Sequence, residues 1–280
     1  MSLNAVVSDV ESSFFAPVPP EPDKVAALLA GLRRKYRKCI TAEAISPAQL
    51  GRYCAVPDYL DERLRSALLA RGVRELYSHQ AEAWQVLKSG KHCVIATPTA
   101  SGKTLCFNGP VLNAALQQQA KALYLFPTKA LAQDQVAELM EINRAAELGV
   151  RAYTFDGDTP SDARQAVRTK GDIVVTNPDM LHQAILPHHT KWAQFFQSLR
   201  FIVIDEVHTY RGVFGAHVAN VLRRLQRVCA FYGVQPQYIC CSATIGNPQQ
   251  HAQTLCGLAM HAITESGAPR GASHLLFWNP

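Results

Sequence analysis

Residues 97–104 read TPTASGKT, set between the apolar run HCVIA at 92–96 and the helix-like segment TLCFNGPVLNAAL at 104–116. Against the phosphate-loop pattern GxxxxGK[ST], Thr97 replaces the first glycine, Gly102 is retained, and Lys103 and Thr104 are in register. The setting is the one such a loop needs. A strand runs into a turn that opens a helix, so backbone N–H groups and the helix N-terminus can surround phosphates. Lys103 would then reach the β- and γ-phosphates, and the Thr104 hydroxyl would ligate magnesium. A GKT at an ordinary helix start is the competing reading, and the loop alone leaves both open.

Working outward, short apolar runs alternate with longer helical patterns. The runs are HCVIAT (92–97), KALYLFP (121–127), VRAYTF (150–155), DIVVTN (172–177), FIVIDE (201–206) and QYICCSAT (237–244). Between them lie amphipathic segments such as TKALAQDQVAELMEINRAAE, and a stripe of Phe214, Val218, Val221, Leu222, Leu225, Val228 and Cys229. Continuous hydrophobic strands separated by amphipathic helices predict an α/β fold, with a mainly parallel sheet covered by helices on both faces. Ligands of such sheets bind at the carboxyl ends of the strands. The polar motifs of this chain fall in those loops.

A second signal, Asp205-Glu206-Val207-His208, directly follows the strand FIVI. A carboxylate there can hold magnesium, and an adjacent glutamate can orient or deprotonate an attacking water. Two acids opening a helix are the plainer alternative. That alternative weakens once the same sheet also supplies GKT, because an ATPase needs a phosphate cradle and a magnesium carboxylate together.

Composition sets the outer bounds. The chain has 280 residues, 48% hydrophobic and 18% charged, enough for a sizeable core and against disorder. No apolar run approaches the roughly 18 residues of a membrane span, and the N-terminus lacks a secretory pattern, so an intracellular, cytoplasmic or nucleoid location is expected. The eight cysteines form no CxxC pair and are expected to be reduced packing residues. His188 and His189 lack further ligands nearby and read as loop residues, not half of a zinc site. APVPPEPD at 16–23 closes an expected extended arm, followed by helices over 23–38 and through LDERLRSALLARG at 60–72. The net charge of +6 is modest; its clusters are RRKYRK at 33–38 and Arg223, Arg224 and Arg227, each readable as a solvated helix face or a polyanion contact.

The ordered set Gln80, TPTASGKT, FPTKALAQDQ, TNPDML, DEVH and SAT resembles the first motor domain of superfamily 2 helicases, over roughly residues 60–270. LYSHQAEA (76–83), LPHHTKW (186–192) and the stretch from DEVHTYRG to Leu225 are similar to the DExH-type DNA-repair helicases of the mitomycin-repair and fungal RecQ-like group. The resemblance implies a RecA-like P-loop NTPase fold that binds ATP and Mg2+. Thr99, Ser101, Gly102, Lys103 and Thr104 match that superfamily's loop, and Ala100 stands where glycine is common.

By the same resemblance Gln80 reads adenine; Tyr77 is open to two readings, a ring stacked on the adenine or a half-buried core residue. Thr104 and Asp205 hold magnesium, Glu206 handles the catalytic water, and His208 with Ser242 and Thr244 couples the γ-phosphate site to the rest of the motor. Pro127, Thr128 and Lys129, Gly157 and Asp158, Thr176, Asn177 and Pro178, and Arg211 correspond to loops that grip the sugar-phosphate backbone without reading sequence. Residues 1–59 then form an N-terminal arm with accessory helices. Residues 60–270 form the motor domain, and 271–280 begin a connector to a second RecA-like domain in cis.

The resemblance implies single-stranded or tailed DNA as the partner, with 3′-to-5′ movement. RNA remains open, as does a nucleotide-dependent clamp or scaffold that does not unwind. The second domain of such motors supplies an arginine finger, worth about 10³- to 10⁵-fold in rate. These 280 residues alone are therefore expected to hydrolyse ATP barely, if at all.

Overall fold

The computed structural model describes residues 22–145 and 147–279, so the arm expected before residue 22 lies outside the described residues. In chain order, α1 (Pro22–Lys35) and β1 (Ile40–Ser46) are followed by β2 (Tyr53–Ala55), α2 (Glu62–Ala70), β3 (Glu75–Tyr77), α3 (Ser78–Lys88) and β4 (Cys93–Ile95). Next come α4 (Lys103–Gln118), β5 (Lys121–Leu125), α5 (Lys129–Ala145), β6 (Ala152–Thr154), α6 (Ser161–Lys170) and β7 (Ile173–Thr176). After the short α7 (Pro178–Met180) and irregular helical turns to residue 192 come α8 (Ala193–Gln197), β8 (Leu199–Ile204), α9 (Gly212–Phe231), β9 (Gln237–Cys241), α10 (Pro248–Cys256), β10 (His261–Ile263) and β11 (Ser273–Trp278).

The chain divides into two compact units. One is Gly51–Ala268; the other joins the described residues up to Leu50 with those from Pro269. The larger unit holds a seven-stranded sheet in the order β10-β4-β9-β8-β5-β7-β6, parallel at every pairing. Because side chains alternate across a strand, each central strand feeds two cores. Tyr124, Val203 and Ile239 face one core, with Leu64, Trp84, Phe107 and Leu139 from the helices of that side. Leu123, Ile202 and Tyr238 face the other, with Trp192, Phe195, Leu222 and Leu255. Burial on both faces explains why these strands read as unbroken apolar runs.

Three departures from expectation have local causes. The stripe on α9 holds at Val218, Leu222, Leu225 and Cys229, but Phe214, one turn before Val218 at the start of the helix, is 47% exposed. The helix expected over 23–38 ends at Lys35, and the chain turns through Tyr36–Cys39 into β1. β2, β3 and β10 have three residues each, too short to show a period. In the smaller unit β1 pairs antiparallel with β11, Ile40 opposite Trp278, a long-range ladder that no local pattern announces. Within the larger unit β2 pairs with β3 and is continuous with LDERLRSALLARG, whose Leu64 and Leu68 are buried.

Candidate nucleotide site and strand-facing loops

β4, β9 and β8 lie side by side, so the loops that follow them share one end of the sheet. These loops are TPTASGKT at 97–104, SAT at 242–244 and DEVH at 205–208, drawn from distant parts of the chain. The Ser242 N–H continues the ladder to Ile95 O (2.9 Å), and the Asp205 N–H continues another to Leu125 O (3.0 Å). The polar residues therefore leave the sheet at one level.

In the phosphate-type loop the Thr97 hydroxyl meets the Ser101 hydroxyl at 2.7 Å, both buried, which stitches the turn where a first glycine would leave it open. Lys103 bends back, its Nζ donating to Thr97 O (2.9 Å) and Pro98 O (3.0 Å). Such carbonyls stand where anionic oxygens would otherwise take the ammonium. Gly102 caps α4 with φ +78°, a conformation that disfavours any side chain, and a Cβ there would sit 2.8 Å from Gln80 Nε2. Ala100 also has positive φ (60°) and carries the strain that glycine avoids. Ala100→Gly is expected to stabilise the chain by about 0.5–1 kcal/mol, the relieved strain outweighing glycine's extra unfolded-state entropy. A rise of a few degrees in Tm would check it; a fall would show that the strain is not real.

Gln80 is buried at the start of α3, and both ends of its amide are engaged. Oε1 accepts the Tyr77 N–H (2.8 Å) and Nε2 donates to Gly102 O (2.9 Å). It thus ties α3 to the loop, leaving one N–H and one lone pair for a ligand. Tyr77 lies against Gly102, and the exposed Tyr53 tilts beside it at 5.6 Å between ring centroids. Sequence reasoning missed Tyr53, because only the β2–β3 pairing brings it there. It also passed over His79, fully buried, whose Nδ1 accepts the Gly267 N–H at 3.1 Å. Burial lowers the His79 pKa, and Nε2 is buried without a hydrogen-bond partner. The quoted motif LYSHQ contained this signal without a role for it.

At the end of β8, Asp205 is largely buried and accepts the Glu206 N–H (2.9 Å). Burial raises its pKa to about 6, with that hydrogen bond and Lys103 opposing the rise and the Glu206 carboxylate adding to it. Glu206 itself has φ +51°, which turns its side chain away from the helical path. Glu206 Oε2 lies 3.0 Å from His208 Nδ1, but that nitrogen already accepts the Ala243 N–H (3.2 Å), so Oε2 is left buried without a hydrogen bond. His208 therefore links the DEVH and SAT turns. His251 of α10 adds a second link to Val207 O at 2.8 Å. The Ser242 hydroxyl is buried without a partner, whereas Thr244 is exposed.

Among the described residues no group of three or more His, Cys, Asp and Glu side chains converges on a metal-sized site. His189 meets the Tyr232 hydroxyl at 2.9 Å.

The DEAD/DEAH box helicase family matches residues 77–252, which include every loop just described. The chain belongs to that family. Its larger unit has the RecA-like fold of such helicases. The ATP-dependent helicase YprA of Bacillus subtilis is 56% identical over 226 residues, covering 80% of this chain and 30% of that protein. The ATP-dependent helicase hrq1 of Schizosaccharomyces pombe is 40% identical over 253 residues, 88% of this chain and 24% of its own length. The crystal structure of the helicase MrfA bound to DNA and AMPPNP superposes with a TM-score of 0.89 at 50% identity, over 91% of this chain and 36% of that one. The chain thus spans about a quarter to a third of the length of these three relatives.

The loops expected from the sequence to face a nucleic-acid strand are unequally open. Thr128 and Lys129 are exposed; the Thr128 hydroxyl caps α5 by accepting the Leu131 N–H, and Lys129 pairs with Asp158. Pro127 is half-buried and Gly157 exposed, in a turn held by the Asp156 carboxylate, which accepts the Asp158 N–H at 2.9 Å. Thr176 is 2% exposed and donates its hydroxyl to Phe155 O, so it braces the β7 end and presents nothing to solvent. Asn177 caps α7 by accepting the Met180 N–H (2.8 Å), and Pro178 is buried. Arg211 is exposed at the start of α9. Of this set, Thr128, Lys129, Gly157, Asp158 and Arg211 are accessible to a strand. Thr176 and Pro178 position their neighbours.

Proposed function

We propose that this chain is the nucleotide-binding motor domain of an ATP-dependent DNA helicase or translocase that acts in DNA repair and moves 3′-to-5′. The observation that carries the reading is the meeting of Lys103, Asp205–Glu206 and the SAT turn on three adjacent strands. A nucleoside triphosphate lies along the loop, its phosphates taken by backbone N–H groups and by Lys103 Nζ in place of Thr97 O and Pro98 O. Tyr77 and Tyr53 flank the base, with the free N–H and lone pair of Gln80 at its edge.

Magnesium fits the donor set. Asp205 is a buried carboxylate with one backbone partner and no bonded cation, the chemistry of a group that a divalent ion would satisfy. The Thr104 hydroxyl and Asp205 would hold it, and when bound it supplies charge neutralisation at the phosphates. Glu206 orients water and takes its proton through the oxygen left unbonded by His208. His208 passes the state of that glutamate to the SAT backbone through Ala243 N. A second RecA-like domain in cis closes over this face, and without it turnover is negligible.

DNA is preferred to RNA because MrfA, at 50% identity, is a helicase whose structure was solved bound to DNA. The test is ATP turnover by the whole protein with single-stranded DNA, with RNA and with neither. Stimulation by DNA well above RNA is expected. Tight ATP-dependent strand binding without turnover would replace the motor by a clamp. Motor-like rates from these 280 residues alone would overturn the requirement for a second domain.

A further inference from the structure

The motor site makes no use of the basic segment RRKYRK in the smaller unit. Arg33, Arg34, Lys35, Arg37 and Lys38 are all exposed. Arg33 is neutralised by Glu43, which His274 also contacts at 3.2 Å, and Lys35 Nζ lies 5.1 Å from the Tyr36 ring centroid. Arg34, Arg37 and Lys38 form no ion pair among the described residues.

The backbone that carries these residues is held in place. The Cys39 and Ile40 N–H groups both return to Tyr36 O (2.9 and 3.1 Å), the Asn279 N–H donates to Cys39 O (2.8 Å), and Ile40 is paired with Trp278 across the β1–β11 ladder. Trp278 is 50% exposed and meets Tyr36 edge-on at 4.6 Å between centroids. Unpaired cations at the end of α1 and on the braced turn that follows it, beside a half-exposed indole, combine the two elements that bind single-stranded nucleic acid: charge for phosphates and an aromatic face for a base. An acidic protein segment would use the charges but has no need of the rings.

We propose that this turn, with Trp278, is a second polynucleotide-binding surface that engages phosphates through Arg34, Arg37 and Lys38 and a base through the indole. It rests on the reading that the protein works on nucleic acid, but not on ATP.

The experiment uses this chain and fluorescein-labelled oligo-dT, followed by anisotropy across a salt series, with intrinsic tryptophan emission recorded in parallel. The sequence has three tryptophans, and Trp84 and Trp192 are buried, so quenching by unlabelled oligo-dT reports on Trp278. The triple variant Arg34→Ala, Arg37→Ala, Lys38→Ala is expected to bind roughly tenfold or more weakly at low salt. The slope of log affinity against log salt should fall by about 2, the value for three lost phosphate contacts on a single strand. Arg34→Lys with Arg37→Lys should keep the slope, which separates lost charge from lost folding.

An unchanged slope in the triple variant, or unquenched tryptophan emission at saturation, would overturn the proposal. So would loss of poly-glutamate binding with oligo-dT binding intact, which would mark a protein-docking face. Absence of oligo-dT binding by the unmodified chain would also overturn it. Binding of a fluorescent ATP analogue by the same preparation reports separately on the motor reading.

Discussion

Glu206→Gln is expected to lower ATP turnover by the whole protein by about 10²- to 10⁴-fold while leaving ATP-analogue affinity nearly unchanged. The side chains are isosteric, and the positive φ of residue 206 is set by the turn between β8 and α9, so the fold should not move. What changes is chemistry. Glu206 Oε2 is buried with no hydrogen bond because His208 Nδ1 is already occupied by the Ala243 N–H. An amide cannot accept a proton at that point, and its N–H group would compete with Ala243 for the histidine. Lys103→Ala should behave differently and lose affinity first, since the ammonium that now rests on Thr97 O and Pro98 O is the charge offered to the phosphates. Single-turnover hydrolysis and analogue binding on both variants separate the two roles. DNA-stimulated turnover retained in both would show that the chemistry is elsewhere.

Asp205→Asn is expected to divide stability from function. An aspartate in the unfolded chain titrates near 3.9, whereas burial raises Asp205 to about 6. Between those values the native state holds more protons than the unfolded one, so this group's contribution to stability falls as pH rises from about 4 to about 6 and stays low above that. At neutral pH the buried charge costs the ligand-free protein roughly 2–3 kcal/mol, less whatever solvent reaches the carboxylate. Asparagine removes the charge, and the variant should melt about 5 °C higher at pH 7–8, with the gain vanishing near pH 4. The same variant should lose the stabilisation that magnesium and an ATP analogue give the unmodified chain. In the unmodified chain that stabilisation should weaken below about pH 6, as Asp205 takes up its proton. Thermal melts at pH 4–8, with and without magnesium and analogue, measure both effects. A variant that melts lower at pH 8 would show that the carboxylate is already neutralised in the fold.

Much of this site was legible in the chain because its residues are local to strand ends. The runs VIA, FIVI and YICC are buried on both faces and so lack polar interruptions, and the first polar residue after each marks where backbone and side chains become free to bind. Gly102 was legible as the glycine of GKT, and the structure gives it the left-handed cap at φ +78° that disfavours a side chain. Other features resisted reading because they depend on partners distant in sequence. Tyr53 reaches Tyr77 only through a three-residue pairing, and His79 acquires its role from Gly267, 188 positions away. Thr176 shows the opposite error. Its motif suggests a surface hydroxyl, but the strand end turns it inward to Phe155 O.

Fold class, the order of motifs and the candidacy of Lys103, Asp205 and Glu206 could be read from periodicity and from residue types at strand ends, which are short-range properties of a chain. Strand order does not follow from them. The placement of β9 between β4 and β8 puts SAT between the lysine loop and the carboxylates, and it is set by how seven strands share two cores. The spare valence of Glu206 is likewise a product of packing, because it arises where His208 must choose between two partners brought together from separate loops. The loop TPTASGKT offers the residue types that a triphosphate site needs. Its neighbours in space, supplied by the sheet, give those residue types a direction.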